Sequence, residues 1–270
     1  MPIVEVPGAQ LSYDIAGDPA APAIVFVHAG VATRAMWDPQ FDDLARDHHV
    51  IRYDTRGFGE SPGDDVEFAD RHDLIAVLDA LGVAKATFIG ASRGGRIALD
   101  AALDQPGRVT GLVTIGSTPG GQDQAVATEL EREMHARMKE ASEAGDIDAL
   151  VRMEVAYWDL GLSRDVDDGD PEFLQRAIEL NVGAEHWDFA GLDQPLDPPA
   201  VSRLHEILVP ALVVVGDLDV TDVTVGYRLL LEGLPNAEGL RFADSAHLPS
   251  VERAERFTSA LRAWLGARGL

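Results

Sequence analysis

Five short runs rich in β-branched and other apolar residues recur along the chain with longer helix-compatible stretches between them: Ala23–Val27, Val50–Tyr53, Ala86–Ile89, Leu112–Ile115 and Ala211–Val215. A strand that returns to the same sheet through a helix must run parallel to its predecessor, so this alternation predicts an α/β fold, a mostly parallel twisted sheet flanked by helices. Leu240–Phe242 reads as a weaker last strand. Ile3–Val6 and Leu11–Ile15, separated by a turn containing Pro7 and Gly8, read as an N-terminal antiparallel hairpin. The core runs end on polar or glycine-rich segments: His28-Ala29-Gly30, Asp54-Thr55-Arg56-Gly57, Gly90-Ala91-Ser92, Gly116-Ser117 and Gly216-Asp217-Leu218-Asp219. In doubly wound sheets this carboxyl edge is where ligands bind.

Between Thr118 and Pro199 the strand rhythm stops. Val126, Leu130, Met134, Met138 and Ala141 recur at helical spacing, and Ile147–Tyr157 and Glu172–Leu180 read as further helices. Asp193, Pro195, Pro198 and Pro199 mark an irregular return to the sheet. The expected organisation is a core of residues 1–117 and 200–270 with a helical cap inserted at 118–199.

A chain of 270 residues, 46% of them hydrophobic, is long enough to bury a large core. Its 22 basic and 46 acidic residues give a formal charge of −24, which repels nucleic acid and anionic lipid, so neither is an expected partner. The absence of cysteine removes thiol nucleophiles, disulfides and thiolate metal sites. The start Met-Pro-Ile-Val-Glu-Val-Pro has neither a basic segment nor an unbroken apolar run, and no later run approaches a membrane span, so a cytoplasmic location is expected. The oligomeric state is not legible.

The chemistry centres on Gly90-Ala91-Ser92-Arg93-Gly94, a G-x-S-x-G pattern between an apolar run and the helix-compatible Gly95–Leu103. A serine on a tight strand-to-helix turn occupies strained backbone angles, so its neighbours must lack side chains that would clash. The following helix aims free N–H groups at the site, and the Arg93 N–H is placed to bind the oxyanion formed when Ser92 attacks a carbonyl. Gly59-Glu60-Ser61-Pro62-Gly63 fits the same pattern, but Pro62 has no N–H and the acidic stretch after Gly63 is no helix start, so Ser61 is assigned to a turn. A serine nucleophile needs a base and a carboxylate in the later order acid, histidine. Asp217 and Asp219 both follow the Ala211–Val215 run, and His247 lies in Ala246-His247-Leu248-Pro249, with Pro249 suited to opening the last helix.

These stretches together resemble the α/β-hydrolase superfamily. Val27-His28-Ala29-Gly30 with Trp37 is similar to its oxyanion loop, which implies the Gly30 N–H as a second oxyanion donor; Ala29 stands where the family usually has glycine. Arg52-Tyr53-Asp54-Thr55-Arg56-Gly57-Phe58-Gly59-Glu60-Ser61 closely resembles 3-oxoadipate enol-lactonases and their relatives and is implied to be structural. The family spacing of Gly216-x-x-Asp219 favours Asp219 over Asp217 as the partner of His247. The resemblance implies a serine hydrolase cleaving a small ester or lactone with a Ser92-Asp219-His247 triad. Haloalkane dehalogenases and epoxide hydrolases use aspartate where this chain has Ser92, and proline iminopeptidases usually show H-G-G-P-G, absent here. Thioesterase, carbon–carbon bond hydrolase and cofactor-free perhydrolase chemistry stay open on the same triad, and so does, from another class, a ligand receptor or regulatory binding protein on this scaffold.

His28 reads as a structural hydrogen bonder. His48 and His49 are adjacent and face opposite sides of a strand, and His72, His135, His186 and His205 lack ligand-like spacing, so no metal and no cofactor are expected. Arg93 either attracts a substrate carboxylate or pairs with a nearby acid. Trp37, Met134, Met138, Met153, Tyr157, Trp158 and Trp187 suit an apolar substrate pocket and suit ordinary helix packing equally.

Overall fold

In a computed structural model, residues 2–164, 169–183 and 192–270 are described. The strand runs form one eight-stranded sheet: β1 (Ile3–Val6), β2 (Ala9–Ala16), β3 (Ala23–Val27), β4 (His49–Tyr53), β5 (Ala86–Ala91), β6 (Val109–Ile115), β7 (Ala211–Gly216) and β8 (Ala237–Phe242). Their order is β1-β2-β4-β3-β5-β6-β7-β8; β1 pairs β2 and β2 pairs β4 antiparallel, and every other pair is parallel. The hairpin and the parallel core are as the sequence predicts, although β8 is longer than Leu240–Phe242 because its exposed first half, Ala237-Glu238-Gly239, still pairs with β7.

The central strands are apolar throughout because both faces are covered. Val25 and Val27 join one core layer with Leu74, Val77 and Leu78 of α2 (Asp70–Ala80), Ile97 and Ala98 of α3 (Arg93–Asp104), and Leu230. Ile24 and Phe26, one residue out of phase, join the other with Phe41 and Leu44 of α1 (Asp38–Leu44) and Phe257, Leu261 and Trp264 near the C-terminus. Trp37 belongs to this second layer, fully buried and stacked on Phe26 at 4.7 Å between centroids. It is therefore a core residue, which corrects its expected place in a substrate pocket. One polar pair is buried with these layers: Arg56 donates two hydrogen bonds of 3.0 Å to Asp73 and lies over the Phe68 ring.

Between β6 and β7 the described chain is helical: α4 (Glu129–Ala144), α5 (Ile147–Glu154), a π turn at Val155–Leu160 and α6 (Pro171–Gly183). Thr128 caps α4 by accepting from the Glu131 N–H while Glu131 accepts from the Thr128 N–H. Val126 thus precedes the helix and is 88% exposed, so the helical spacing read from Val126 to Ala141 begins three residues too early. Met134 and Met138 do face inward, packing with Trp158 against Tyr157, Val220 and Val223. Three helices complete the core: α7 (Thr221–Gly233) after β7, then α8 (Pro249–Glu252) leading into α9 (Ala254–Gly266) after β8. Among the described residues no helix is long and apolar enough to cross a membrane.

Candidate active site

The strand order reverses direction of growth at β3 and β5, and the crevice at such a switch point is where α/β sheets bind ligands. Ser92 is the single residue between β5 and α3. Its φ of 51° and ψ of −118° make it the only non-glycine with positive φ among the described residues. That backbone state costs about 1–3 kcal/mol and survives because its surroundings over-determine it. The Ser92 N–H donates to the Ile115 carbonyl at 2.7 Å, and the Ser92 carbonyl accepts from Gly95 and Arg96 at 3.0 and 3.2 Å.

The glycines answer to close approach. A Cβ at Gly90 would sit under 3.0 Å from the Gly94 backbone, and one at Gly94 under 3.0 Å from the Val27 and His28 carbonyls. The start of α3 therefore lies directly on the end of β3. As first residue of that helix, Arg93 has an N–H without an intrahelical acceptor. Gly30 faces it, with 3.8 Å between the position a Gly30 Cβ would take and the Arg93 Cβ. Ala29 has no positive φ and is fully buried, with its N–H on the Met36 sulfur, so the loop accepts alanine without strain.

His28 stays out of the chemistry. Its Nδ1 lies 2.7 Å from the Ala29 carbonyl, which fixes the proton there, and Nε2 accepts the Thr55 N–H at 2.9 Å. Burial lowers its pKa to about 4, so it is neutral.

His247 sits on the loop after β8, its ring buried. Its Nδ1 lies 2.8 and 3.1 Å from the two Asp219 carboxylate oxygens, and Asp219 also accepts the Val220 N–H. Asp217 instead points outward to an ion pair with Arg241 at 2.8 Å. The two loops touch because residue 216 is glycine; a Cβ there would overlap the Ser245 and Ala246 carbonyls. Burial alone would lower the His247 pKa, but the Asp219 charge and hydrogen bond outweigh it and the pKa is raised. A Cβ at Gly116 would lie 3.1 Å from His247 Nδ1, and Gly116 directly follows the Ile115 whose carbonyl holds Ser92. Serine, histidine and aspartate thus converge on one sheet edge.

Of the apolar candidates between β6 and β7 that lie among the described residues, Trp158 alone is shown in direct contact with this cluster. Its carbonyl accepts the His247 N–H at 3.1 Å and its ring lies 4.7 Å from the imidazole. Met134, Met138 and Tyr157 pack the helices onto the start of α7, and Met153 is half-buried on α5. Trp187 and His186 lie outside the described residues. Arg93 is paired: its guanidinium donates to Asp70 and to the Thr55 hydroxyl, both at 2.6 Å, and lies over the Phe58 ring. This settles the choice left by the sequence in favour of the ion pair. Asp70, 23 residues away, carried no local signal; burial raises its pKa to about 6 despite the guanidinium. Asp159 was also missed, although an acid inside the apolar stretch Val155–Leu160 is itself a signal, because a buried charge needs a reason.

Comparison with known proteins agrees with this fold. Residues 22–254 match the family model described as alpha/beta hydrolase fold. The 3-oxoadipate enol-lactonase 1 of Acinetobacter baylyi is 30% identical over 256 residues, covering 93% of this chain and 91% of that one. A 2-hydroxy-6-oxononadienedioate/2-hydroxy-6-oxononatrienedioate hydrolase of Paraburkholderia phymatum is 32% identical over 234 residues, 81% of this chain and 77% of that one. Among solved structures, Est816, described as an N-acyl homoserine lactone degrading enzyme, superposes with a TM-score of 0.74 at 28% identity, covering 97% of this chain and 99% of that one.

Proposed function

Because the chain belongs to the α/β hydrolase fold family, we propose that it is a serine hydrolase that cleaves a small carboxylic ester or lactone through an acyl-enzyme on Ser92. The observation that carries this reading is the convergence of a strained Ser92 with a buried His247–Asp219 pair at the switch point of the sheet. His247 Nε2 takes the Ser92 proton as Oγ attacks the carbonyl carbon. The Gly30 and Arg93 N–H groups hold the oxyanion, and the intermediate collapses with His247 returning the proton to the leaving alkoxide. In a lactone that alkoxide remains on the acyl chain, so the ring opens. Water activated by His247 then frees Ser92. Asp219 keeps the Nδ1–H tautomer and stabilises the imidazolium. In this reading residues 118–199 act as a cap whose Trp158 walls the site beside His247.

The names of the enol-lactonase relative and of Est816 support a lactone or small ester, and the Paraburkholderia relative supports a second substrate class, a carbon–carbon bond cleaved by the same triad. His247 works as base only when neutral, and its pKa is raised. Activity is therefore gained as pH rises through that pKa, and kcat/KM should show an acid limb with its midpoint above the ordinary histidine value of about 6.5. The test is steady-state hydrolysis of short-chain aryl esters, five- and six-membered lactones and a 2-hydroxy-6-oxodienoic diacid, by wild type and Ser92→Ala. Ester or lactone turnover lost in the variant supports the reading; turnover that survives Ser92→Ala refutes it, and turnover of the diacid alone moves the assignment to the second class.

A further inference from the structure

His247 has a second acid close by that the triad does not use. Asp159 lies in the π turn directly after Trp158, whose carbonyl holds the His247 backbone, and the residue is 1% exposed with no donor among the described residues to either carboxylate oxygen. Every other charged group around it is partnered. Asp219 holds His247 Nδ1 and the Val220 N–H. Glu252 of α8 takes Arg164 at 2.6 Å and the Ser245 hydroxyl at 2.6 Å, and Glu154 of α5 takes Asn181 of α6 at 3.0 Å. Arg164 spends its remaining donors on the backbone carbonyls of Asp159 and Leu160, and no hydrogen bond runs from it to the Asp159 carboxylate.

A buried carboxyl without donors is costly, and this one is held by an i→i+5 turn, a rare backbone form that recurs at functional sites. The charge that interacts with it most strongly and favourably is that of His247; Asp219, Glu252 and Glu154 all oppose its ionisation. The interaction is mutual, since Asp159 also raises the basicity of His247.

We propose that Asp159 is a positioning residue for His247: a second buried carboxylate, contributed by the inserted helices, whose charge stabilises the imidazolium that forms as Ser92 loses its proton. The proposal rests on His247 being the base. The inserted helices then govern catalysis as well as access, because displacing the π turn would withdraw both the Trp158 carbonyl and the Asp159 charge from His247. Burial raises the Asp159 pKa to about 7 and the His247 pKa is raised as well, so proton loss from one makes proton loss from the other harder and the wild-type profile is shallower than a one-proton titration.

The test follows the rate of Ser92 phosphonylation by a small fluorophosphonate from pH 5 to 9, read by intact mass, in wild type, Asp159→Asn, Asp159→Ser and Asp159→Glu. Expected is a fall of the midpoint by about half a pH unit or more in the two uncharged variants, with a steeper one-proton profile, and a midpoint near wild type in Asp159→Glu. Unchanged midpoints with altered plateau rates would make Asp159 merely structural and overturn the proposal, as would loss of the fold, seen by circular dichroism, in both uncharged variants. Failure of the underlying reading is distinct: wild type would then show no pH dependence, or no Ser92 adduct at all.

Discussion

The strain at Ser92 is measurable apart from activity. Its φ of 51° with ψ of −118° is a state that glycine enters freely and any residue with a Cβ does not. Ser92→Gly and Ser92→Ala remove the same hydroxyl, but only glycine releases the strain, about 1–3 kcal/mol. Glycine gives back about 0.4–1 kcal/mol through the greater freedom of its unfolded chain. The glycine variant should therefore be the more stable of the two by about 1 kcal/mol, or about 2–4 °C in Tm for a chain of this size. Ala91, buried in β5 with ordinary backbone angles, is the control: Ala91→Gly should lower stability by about 1 kcal/mol or more. Urea and thermal unfolding of the three variants give the comparison directly. A Ser92→Gly protein no more stable than Ser92→Ala would refute the claim that the turn stores strain on behalf of the nucleophile.

Asp219→Asn should reduce kcat by about 10³–10⁴-fold, because the amide no longer fixes the imidazole tautomer, whereas Asp217→Asn, which breaks only the exposed pair with Arg241, should stay within about twofold; steady-state kinetics decide. Gly94→Ala should lose at least about 3 kcal/mol of stability by denaturant titration, since the new Cβ meets two rigid carbonyls of the β3 loop and not a movable side chain. For Asp159, a pKa raised from 3.8 to about 7 in the fold is a folding penalty absent below pH 3.8, growing between the two values and complete above about 7, where it reaches about 4 kcal/mol. Asp159→Asn carries an amide's own burial cost of about 1–3 kcal/mol, so it should gain about 1–3 kcal/mol at pH 8 and be about 2–3 kcal/mol less favourable than that at pH 5; an equal effect at both pH values would contradict the assignment.

The parallel sheet is legible because its central strands are buried on both faces and read as unbroken apolar runs, and Ser92 directly follows one of them; Asp219 and His247 lie three and five residues beyond the ends of β7 and β8, and the choice of Asp219 over Asp217 rests on the family resemblance. Contacts between distant segments were harder to read. Arg93 gives no hint of Asp70, which the start of α2 delivers from 23 residues away, and Trp158, which packs on His247 and holds its N–H, comes from the helices between β6 and β7, 89 residues earlier in the chain. Trp37 misled because an aromatic beside the oxyanion loop suits a pocket as well as a core, and only its stacking on Phe26 decides. Val126 fits helical spacing, but the capping box of Thr128 and Glu131 sets the helix start at Glu129, three residues later.

The most direct measurement is of the covalent intermediate: an aryl ester reaction quenched with acid in the steady state, followed by intact mass and peptide mapping. The account predicts one acyl group, on the peptide containing Ser92, and none in Ser92→Ala. An acyl group on another residue such as Ser61, or turnover with no covalent species in wild type and equal turnover in Ser92→Ala, would contradict it.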